Sequence, residues 1–522
     1  MVFAGGGGQS QRTTETSSTA DYVGPNRSYS GYPLPITERP LELTGMLQYA
    51  ALRPDAETTA VWDWFFERTN VRVRPVMIND SDRASVIFAS RDFPDFYMSG
   101  GNANLLSMAV RDGDIIPLDE LLQRNAPTWN RFLNENPMVK NGNSIDGKIY
   151  FLPFINWEPG DRNMRDVWVV GQSWLDELGI STPTTTEEIK NAAIAIKNNA
   201  GRGTIPGNVI PYYYIFDSYI GGQFDVYGAF GINITSADYL VVENGRVIFQ
   251  ATNPELIAPL KYLQELYREG LTPPECFTDD WNTYLTKIFA VPPILGIYTA
   301  ANITSYDTHI AIPPPQSPTG KKPTIRRQAF VSNTAQNFAI FENCKDPAAI
   351  TKYAEFIAFD LEASMNMMLG MKDVHWRFRP DGKPEFVFTN NQLDMRMANS
   401  RTYGLWNSFI GLWDTDFYVN KFYDRERDIR FSRAWNLDNV YKDHLAPEGS
   451  VYISAPLSPD ENSIRNAIRT DLENERRQTF ARWITTNANI DSEWDAYVAR
   501  MNRFNINEFV ALSQKAYDLM VR

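Results

Sequence analysis

The sequence predicts an α/β fold divided into two lobes. The chain has 522 residues, which is more than a single hydrophobic core usually serves. Its content of 43% hydrophobic and 22% charged residues is typical of a folded globular chain. From residue 41 onward, short stretches with strand-like alternation are followed by longer stretches with helical periodicity. This β-α succession predicts mainly parallel sheets covered by helices.

Residues 1–40 differ in composition from the rest of the chain. Residues 1–5 resemble the end of an export signal, with a small-residue cleavage site after Ala4. An alternative is that Gly6 replaces a lipid-anchor cysteine at this position. Residues 5–40 are rich in Gly, Ser, Thr and Gln and contain few apolar anchors, which predicts a flexible tether. The folded elements are therefore expected to begin near residue 41.

Strand and helix patterns alternate over the first part of the predicted fold. In chain order they predict a strand over 41–49, a helix over 56–69, a strand over 71–76, a helix over 81–90 and a strand over 93–98. Ligands in such folds collect at the carboxyl ends of the strands. Residues 95–101 are therefore a candidate site on topology alone.

Turn signals place two more strands. Asp146-Gly147 has the composition of a tight turn before a strand over 148–151. The apolar run 167–170 predicts a further strand that leads into a helix.

Helix-start and loop signals mark the later part of the chain. Thr185 and Glu188 have the spacing of a capping box, in which each side chain bonds the backbone N–H of the other residue. The Pro-rich residues 312–323 indicate an exposed loop or crossover. Residues 493–522 predict a pair of polar helices at the end of the chain.

Charge and composition exclude several kinds of protein. The formal net charge of −13 and the pI near 5.0 argue against nucleic-acid binding, which needs clustered cations. Three scattered histidines, His309, His375 and His444, offer little material for a zinc site or a histidine-based triad. No run approaches the ~18 apolar residues of a membrane-spanning helix. Cys276 and Cys344 could form one disulfide or none.

Aromatic residues are abundant, with 13 Trp, 25 Tyr and 30 Phe. Most aromatic side chains pack in cores, and that is the ordinary explanation for any one of them. Several tryptophans nevertheless have polar neighbours, as in Asn156-Trp157 and Trp413-Asp414. Sugar rings pack their C–H patches on aromatic faces while their hydroxyls need polar partners. The composition therefore fits a carbohydrate ligand.

Five segments carry recognisable motifs, namely residues 113–122, 146–153, 167–188, 266–275 and the closing pair 493–498 with 514–518. In this order they resemble motifs of bacterial extracellular solute-binding proteins, in particular the large oligosaccharide-binding proteins of ABC importers. Each segment is weak alone, but their common order covers most of the chain. The resemblance implies a two-lobed periplasmic-binding-protein fold with a hinge, a central ligand cleft and extra helices near the C-terminus.

The resemblance also implies a function and a cellular setting. It implies an oligosaccharide that is bound between the lobes and delivered to the membrane permease subunits of an ABC importer. It implies no catalysis, no cofactor and a monomeric protein. The expected location is extracytoplasmic, either periplasmic or attached to the outer face of the cytoplasmic membrane. The expected first lobe comprises 41–160 and about 295–370, and the second about 161–294 and about 371–522.

One departure from the family pattern concerns metal binding. Some relatives carry an Asp/Asn-rich, calcium-binding loop after the helix that follows the 182–188 motif. The corresponding residues here, 197–206, contain no carboxylates. Because Ca²⁺ prefers several anionic oxygens, we expect no calcium at this loop.

Candidate ligand residues lie in loops that leave strands or cross between lobes. A sugar cleft needs aromatic platforms together with polar side chains. The candidates are Asp95, Tyr97, Ser99, Asn156, Trp157, Trp281, Tyr298, Trp376, Trp406, Trp413 and Asp414. Trp157 is the strongest single candidate because it follows the 146–153 motif near a lobe crossing. Arg162 and Arg165 could hold a uronic acid, but a solvated surface pair is the preferred interpretation.

Two other classes of protein remain as alternatives. A secreted glycoside hydrolase would also have a Trp-lined cleft, with two carboxylates at ~5–9 Å. The ordered motifs and the absence of eight evenly spaced βα units count against it. A surface glycan-binding adhesin would share the fold and differ only in lacking a permease partner.

Overall fold

The computed structural model describes residues 33–48, 59–78, 81–157, 164–301, 303, 307–328, 333–380, 384–387, 405, 410–414 and 433–522. Within these ranges the strands form two main sheets and three small hairpins. Helices cover the sheets, and the predicted α/β fold is confirmed.

The first main sheet has six described strands in the order β16-β6-β13-β3-β1-β2. Its strands are β1 (Leu41–Leu47), β2 (Val71–Met77), β3 (Phe96–Met98), β6 (Leu152–Trp157), β13 (Asn333–Ile340) and β16 (Gly411–Asp414). All neighbouring pairs are parallel except those that β13 makes with β3 and β6. The carboxyl ends of the other five strands therefore point to one edge.

The second main sheet has four described strands in the order β12-β7-β11-β8. They are β7 (Val167–Val170), β8 (Ile210–Tyr213), β11 (Leu295–Ala300) and β12 (Ile310–Ile312). Strand β7 runs antiparallel to both of its neighbours, while β8 and β11 are parallel. The hairpins are β4 (Ser144–Ile145) with β5 (Lys148–Ile149), β9 (Leu240–Glu243) with β10 (Arg246–Phe249), and β14 (Trp376–Phe378) with β15 (Pro384–Phe386).

The helices lie between and around these strands. Their bounds are α1 Ala60–Thr69, α2 Ser81–Ser90, α3 Ala103–Arg111, α4 Asp119–Asn125, α5 Pro127–Glu135, α6 Pro137–Gly142, α7 Gln172–Glu177, α8 Thr186–Asn198, α9 Phe224–Ala229, α10 Ile257–Arg268, α11 Trp281–Ile288, α12 Pro347–Phe359, α13 Leu361–Leu369, α14 Arg433–Asn436, α15 Pro459–Thr485, α16 Ile490–Met501 and α17 Ile506–Val521. Within the described ranges, no helix combines the length and apolar character that crossing a lipid bilayer requires.

Local sequence signals explain several of these boundaries. The capping box is present at the start of α8, where the Thr185 side chain accepts from the backbone N–H of Glu188 and Glu188 bonds back. Asp146 and Gly147 both adopt positive φ in the β4–β5 turn, as a two-residue hairpin loop of the primed type requires. Both local predictions are confirmed.

Each main sheet has its own hydrophobic core. The first core contains Trp129 and Trp376 with the apolar faces of α12 and α13. The second contains Trp168 from β7 and Trp483 from α15. Met520 of α17 packs in the first core, so the C-terminal helices contact both lobes.

The chain crosses between the lobes in segments that lie side by side. Strand β6 of the first sheet precedes β7 of the second along the chain, and the described segment that ends at Gln328 precedes β13 of the first sheet. On the first-lobe side, β6 pairs antiparallel with β13. On the second-lobe side, the Arg165 N–H donates to the Arg326 carbonyl at 2.9 Å, and Met164 forms a bridge with Arg327. These paired segments form the hinge.

The two sheets divide the chain differently from the lobes expected from the sequence, whose boundaries stay a prediction. The expected first lobe included about 295–370, but β11 and β12 are hydrogen-bonded to β7 and β8 in the second sheet. The expected second lobe began again at about 371, but β16 and Trp376 belong to the first sheet and the first core. Sheet membership depends on non-local hydrogen bonds, which the local motifs did not reveal.

The two cysteines lie in different cores and are not bonded to each other. Cys276 is buried in the second core and Cys344 in the first, and both are free thiols. Burial raises the pKa of Cys276 well above its usual value and that of Cys344 to about 12. Of the two possibilities that the sequence left open, this structure shows the one without a disulfide.

Candidate ligand-binding site

Strand direction brings several segments to one edge of the second sheet. The register pairs Ala300 at the end of β11 with Val167 at the start of β7, and Tyr298 of β11 with Tyr213 at the end of β8. Residues that precede β7 therefore meet the loops that follow β8 and β11. The hinge joins this edge to the carboxyl end of β6 in the first sheet.

A stack of three aromatic rings occupies this edge. The Trp281 and Tyr284 rings are 5.2 Å apart at 23°, and the Tyr284 and Tyr213 rings are 6.2 Å apart at 17°. Tyr213 and Tyr284 are buried, whereas Trp281 is 37% exposed. We call these three residues the aromatic stack. Its outer member, Trp281, is thus a partly exposed residue whose indole ring packs on a buried support.

Helix α11 positions this stack. Trp281 is the first residue of the helix, directly after Asp280, whose side chain caps it by accepting from the Thr283 N–H at 2.7 Å. Tyr284 lies three positions later and therefore on the same helical face as Trp281. The capped start of α11 and the three-residue spacing of Trp281 and Tyr284 therefore set the position of the stack.

Hydrogen bonds fix the inner rings. The Tyr284 hydroxyl donates to the Thr299 carbonyl at 3.2 Å, and the Tyr213 hydroxyl donates to Asp279 at 2.6 Å. Lys287 forms an ion pair with Asp279, and its ammonium lies 4.9 Å from the Tyr213 ring centroid. Burial, and next the bond to Asp279, raise the pKa of Tyr213 well above its usual value. Because the support is fixed before a ligand arrives, binding need not order it.

Gly221 permits the close approach of the loop after β8 to this stack. It has φ +63°, and a Cβ built there would lie 2.5 Å from the Tyr284 hydroxyl. Its backbone N–H donates to Asp166 Oδ2 at 3.1 Å. This loop therefore connects the aromatic stack to the start of β7.

A buried cluster of four charged side chains adjoins the same loop. It consists of Arg165, Asp166, Asp225 and Arg326, and we call it the charge cluster. Arg326 donates to both carboxylate oxygens of Asp225, at 2.9 and 3.0 Å, and to Asp166 Oδ2 at 2.9 Å. Burial raises the pKa of Asp225 to about 6, against the opposing effect of Arg326. The cluster links β7, α9 and the returning hinge segment.

Arg165 corrects one interpretation made from the sequence. A solvated surface pair was preferred for Arg162 and Arg165, but Arg165 is only 4% exposed. Its guanidinium lies 5.9 Å from the half-buried Tyr219 ring. Arg162 lies outside the described residues.

Asp95 lies at the start of β3, away from the carboxyl edge of the sheet. Its Oδ2 accepts from the Thr44 N–H at 2.6 Å and from the Thr44 hydroxyl at 2.8 Å, and its Oδ1 accepts from the Lys345 N–H at 2.9 Å. Burial acts to raise the pKa of Asp95, but these hydrogen bonds outweigh it and lower the value. Asp95 was expected to follow a strand of the first lobe, but it directly precedes β3, which begins at Phe96.

Tyr97 and Ser99 are both buried. The Tyr97 hydroxyl donates to the Gly101 carbonyl at 2.9 Å. Ser99 lies at the carboxyl end of β3, where its N–H donates to the Asn337 carbonyl at 2.9 Å. Its hydroxyl lies 3.4 Å from the side-chain oxygen of Gln48. Of the first-lobe candidates over 95–99, Ser99 lies at the edge nearest the hinge.

Tyr298 and Trp376 are buried in separate cores. Tyr298 belongs to β11 in the second core, with its ring 5.9 Å from that of His309. Trp376 belongs to the first core, where its indole N–H donates to the Gly370 carbonyl at 2.8 Å. The structure therefore gives each of them a packing function and does not bring them together.

Four of the predicted residues meet at the carboxyl ends of two adjacent strands. The register of β6 and β16 pairs Trp413 with Asn156 and Asp414 with Trp157. Their backbone lies at the edge from which the chain crosses to the second lobe. Trp406 lies outside the described residues.

Sequence reasoning missed the support beneath Trp281. Tyr284 and Gly221 were not candidates, although Asp280 followed by aromatic residues three positions apart was a readable helix-start signal. Asp166 gave no local signal, because its importance depends on Gly221 and Arg326, which are distant in sequence.

Residues 199–206, part of the segment at which no calcium was expected, form turns after α8. Glu177 accepts from the Thr204 hydroxyl at 2.6 Å and from its N–H at 3.1 Å. Ile205 is buried in the second core. A search of the described residues finds no group of three or more acidic, His or Cys side chains placed to hold a metal ion. The loop is thus tied by side-chain hydrogen bonds and an apolar anchor.

Comparison with known proteins identifies likenesses that extend over most of the chain. FusA of Streptococcus pneumoniae, a fructooligosaccharide ABC transporter substrate-binding protein, is 26% identical over 464 residues, which is 84% of this chain and 82% of FusA. The structure of FusA in complex with kestose superposes with a TM-score of 0.77 at 22% identity, covering 91% of this chain and 99% of FusA.

Two more distant structures share the fold. An HMO-binding, ABC-transporter-associated solute-binding protein from Bifidobacterium longum infantis gives a TM-score of 0.73 at 19% identity, covering 92% of this chain and 99% of its own. The alginate-binding protein AlgQ2 also gives 0.73, at 18% identity and the same coverage. These likenesses confirm the two-lobed fold. The family model for bacterial extracellular solute-binding proteins matches residues 45–360, more than half of the chain, and the chain therefore belongs to that family.

Proposed function

We propose that this chain is the substrate-binding component of a bacterial ABC importer that binds an oligosaccharide between its lobes and delivers it to a membrane permease. Family membership and the likeness to FusA over 84% of the chain support the proposal. The observation that carries it is the exposed Trp281 ring on its buried aromatic support, at a sheet edge that adjoins the hinge.

The aromatic stack suits a sugar because of its geometry. An indole face that is held flat can cover the C–H patch of a pyranose or furanose ring, and the support removes the need to order the side chain on binding. We propose Trp281 as the platform of the second lobe. Trp157 and Trp413, at the carboxyl ends of β6 and β16, would supply the platforms of the first lobe, with Asn156 and Asp414 as their polar partners.

The remaining candidates act through packing in this proposal. Asp95, Tyr97 and Trp376 use their polar atoms on internal partners. Together with Tyr298 they would hold the strands that carry the contact residues. Ser99 would be able to contact ligand because it lies at the carboxyl end of β3.

The substrate class proposed is a neutral fructooligosaccharide. FusA is named for that class and has been solved with kestose. We propose that the protein acts outside the cytoplasmic membrane as a monomer, in the periplasm or attached to the outer membrane face, and that the sugar leaves unchanged. A ligand that binds the closed lobes more tightly than the open ones would drive closure. Solution scattering should then show a smaller radius of gyration with saturating kestose.

Calorimetric titration tests the proposal directly. The protein should bind kestose or nystose with micromolar affinity. Trp281→Ala should weaken that binding at least ~10-fold, about 1.4 kcal/mol. Ile248→Ala is a matched control, because Ile248 belongs to the second lobe and is 36% exposed, close to the 37% of Trp281. Unchanged affinity in the Trp281 variant would place the sugar elsewhere.

Chromatography of the same mixtures separates the alternatives. Shortened oligosaccharides after incubation would identify a glycoside hydrolase and remove the proposal. Binding without turnover, and without any effect on transport when the protein is added to its membrane permease, would instead favour a glycan-binding adhesin.

A further inference from the structure

Two buried polar atoms in the charge cluster have no partner among the described residues. They are Arg165 Nε and Asp166 Oδ1. The side chains of Arg165 and Asp166 are 5% and 0% exposed, so bulk solvent does not satisfy these atoms. Arg165 Nη2 lies 3.9 Å from Asp166 Oδ1, which is an ion-pair contact but too long for a hydrogen bond. Buried polar groups are nearly always paired, so an unpaired donor beside an unpaired acceptor calls for an explanation, which a ligand hydroxyl can supply.

The rest of the cluster is fully engaged and holds these two residues in place. Arg326 donates to Asp166 and Asp225, and its Nη1 donates to the Tyr219 carbonyl at 3.0 Å. The backbone N–H of Arg165 donates to the Arg326 carbonyl at 2.9 Å. The unpaired atoms therefore do not result from a loosely held segment.

A continuous series of contacts joins these atoms to the sugar platform. Asp166 accepts from the Gly221 N–H at 3.1 Å, and Gly221 packs against the Tyr284 ring. Tyr284 in turn stacks under Trp281, with ring centroids 5.2 Å apart. The unpaired atoms thus lie at the same sheet edge as the aromatic stack.

We propose that Arg165 and Asp166 form a donor–acceptor pair that recognises one hydroxyl group of a neutral sugar bound at the aromatic stack. The inference rests on the proposed function and specifies how that site selects its ligand. The Arg165 N–H donates to the hydroxyl oxygen, and the hydroxyl proton is donated to Asp166 Oδ1. A hydroxyl is suited to both functions because it is a donor and an acceptor at once.

The charge balance of the cluster selects against acidic sugars. Its two arginines are matched by its two aspartates, and the nearby Lys287 is paired with Asp279. A uronate carboxylate would face Asp166 with no spare cation to compensate. Neutral oligosaccharides should therefore bind, and oligouronates should not, although the alginate-binding protein AlgQ2 shares the fold.

The test is calorimetry with kestose, its monodeoxy analogues and a mannuronate trisaccharide. Wild-type protein should bind kestose, lose at least ~10-fold affinity for one deoxy analogue, and bind the trisaccharide at least ~100-fold more weakly. Arg165→Met, which keeps the apolar stem, should bind kestose and that deoxy analogue equally. Arg165→Lys keeps the charge. Measured as the logarithm of the affinity for kestose, it should recover less than half of the loss that Arg165→Met shows.

The outcomes are distinguishable from failure of the proposed function. The pair is not a recognition element if Arg165→Met and Arg165→Lys bind kestose as tightly as wild-type protein does. The same conclusion follows if wild-type protein binds every deoxy analogue as tightly as kestose. Tighter binding of the mannuronate trisaccharide would overturn the charge argument. If Arg165→Met does not fold, the deoxy series on wild-type protein and Arg165→Lys decide. Binding of no neutral oligosaccharide at all would remove the proposed function itself.

Discussion

Replacement of Gly221 by alanine should destabilise the fold and weaken sugar binding together. The backbone there has φ +63°, which costs an L-residue about 1–2 kcal/mol. The new Cβ would also lie 2.5 Å from the Tyr284 hydroxyl, and the buried ring must shift to admit it. Overpacking of this kind costs about 1–3 kcal/mol. The sum predicts a loss of about 2–5 kcal/mol in the free energy of unfolding.

Gly179→Ala separates the two contributions. Gly179 has φ +67°, but no atom lies within 4 Å of its Cβ position, so only the backbone cost of about 1–2 kcal/mol applies. Urea denaturation followed by tryptophan fluorescence gives the difference between the variants, which is the steric cost. Because Tyr284 supports Trp281, Gly221→Ala should also weaken kestose binding at least ~5-fold, about 1 kcal/mol. Equal stability of the two variants, with unchanged affinity in both, would refute the argument.

Three further predictions concern other residues. Trp157→Ala should weaken sugar binding at least ~10-fold in calorimetry without lowering the unfolding midpoint, and unchanged affinity would show that the first-lobe platform is misplaced. Asp95→Ala should lower the free energy of unfolding by about 2–4 kcal/mol, because three donors lose their acceptor, while kestose affinity stays unchanged; a loss of affinity without a loss of stability would contradict this. The pKa of Asp225 is raised to about 6, so the folded state binds its proton more tightly than the unfolded state, and this group alone makes the protein more stable at pH 5 than at pH 7. Asp225→Asn should therefore reduce the loss of stability between pH 5 and 7, and an identical pH profile would count against the raised pKa.

Local patterns in the sequence identified much of the fold. Strand β2 and helix α2 were predicted almost to the residue, because period-2 and period-3.6 spacing are local properties. The α8 capping box was likewise predicted from a four-residue motif. The order of the five motifs indicated the family before any fold was known, and the family match confirms it.

Non-local pairing was not predictable in the same way. The assignment of β11 to the second sheet depends on hydrogen bonds to β7, more than a hundred residues earlier. The charge cluster depends on Arg326 meeting Asp166, which are 160 positions apart. Trp281 was a candidate because it lies in an acidic segment after the 266–275 motif. Its support by Tyr284 depends on the approach of Gly221, which is 60 positions earlier and gave no local signal.

The paired hinge segments restrict how the lobes can move. Strands β6 and β13 are hydrogen-bonded on one side of the crossing, and Arg165 and Met164 bond to the returning segment on the other. Such a ribbon bends easily perpendicular to its plane, but in-plane sliding would break the pairing register. Rotation of one lobe against the other about this ribbon is therefore soft, whereas translation of one lobe past the other is stiff. Lobe closure around a ligand should therefore be a rotation about this ribbon that brings the two sheet edges back to the same alignment on every cycle.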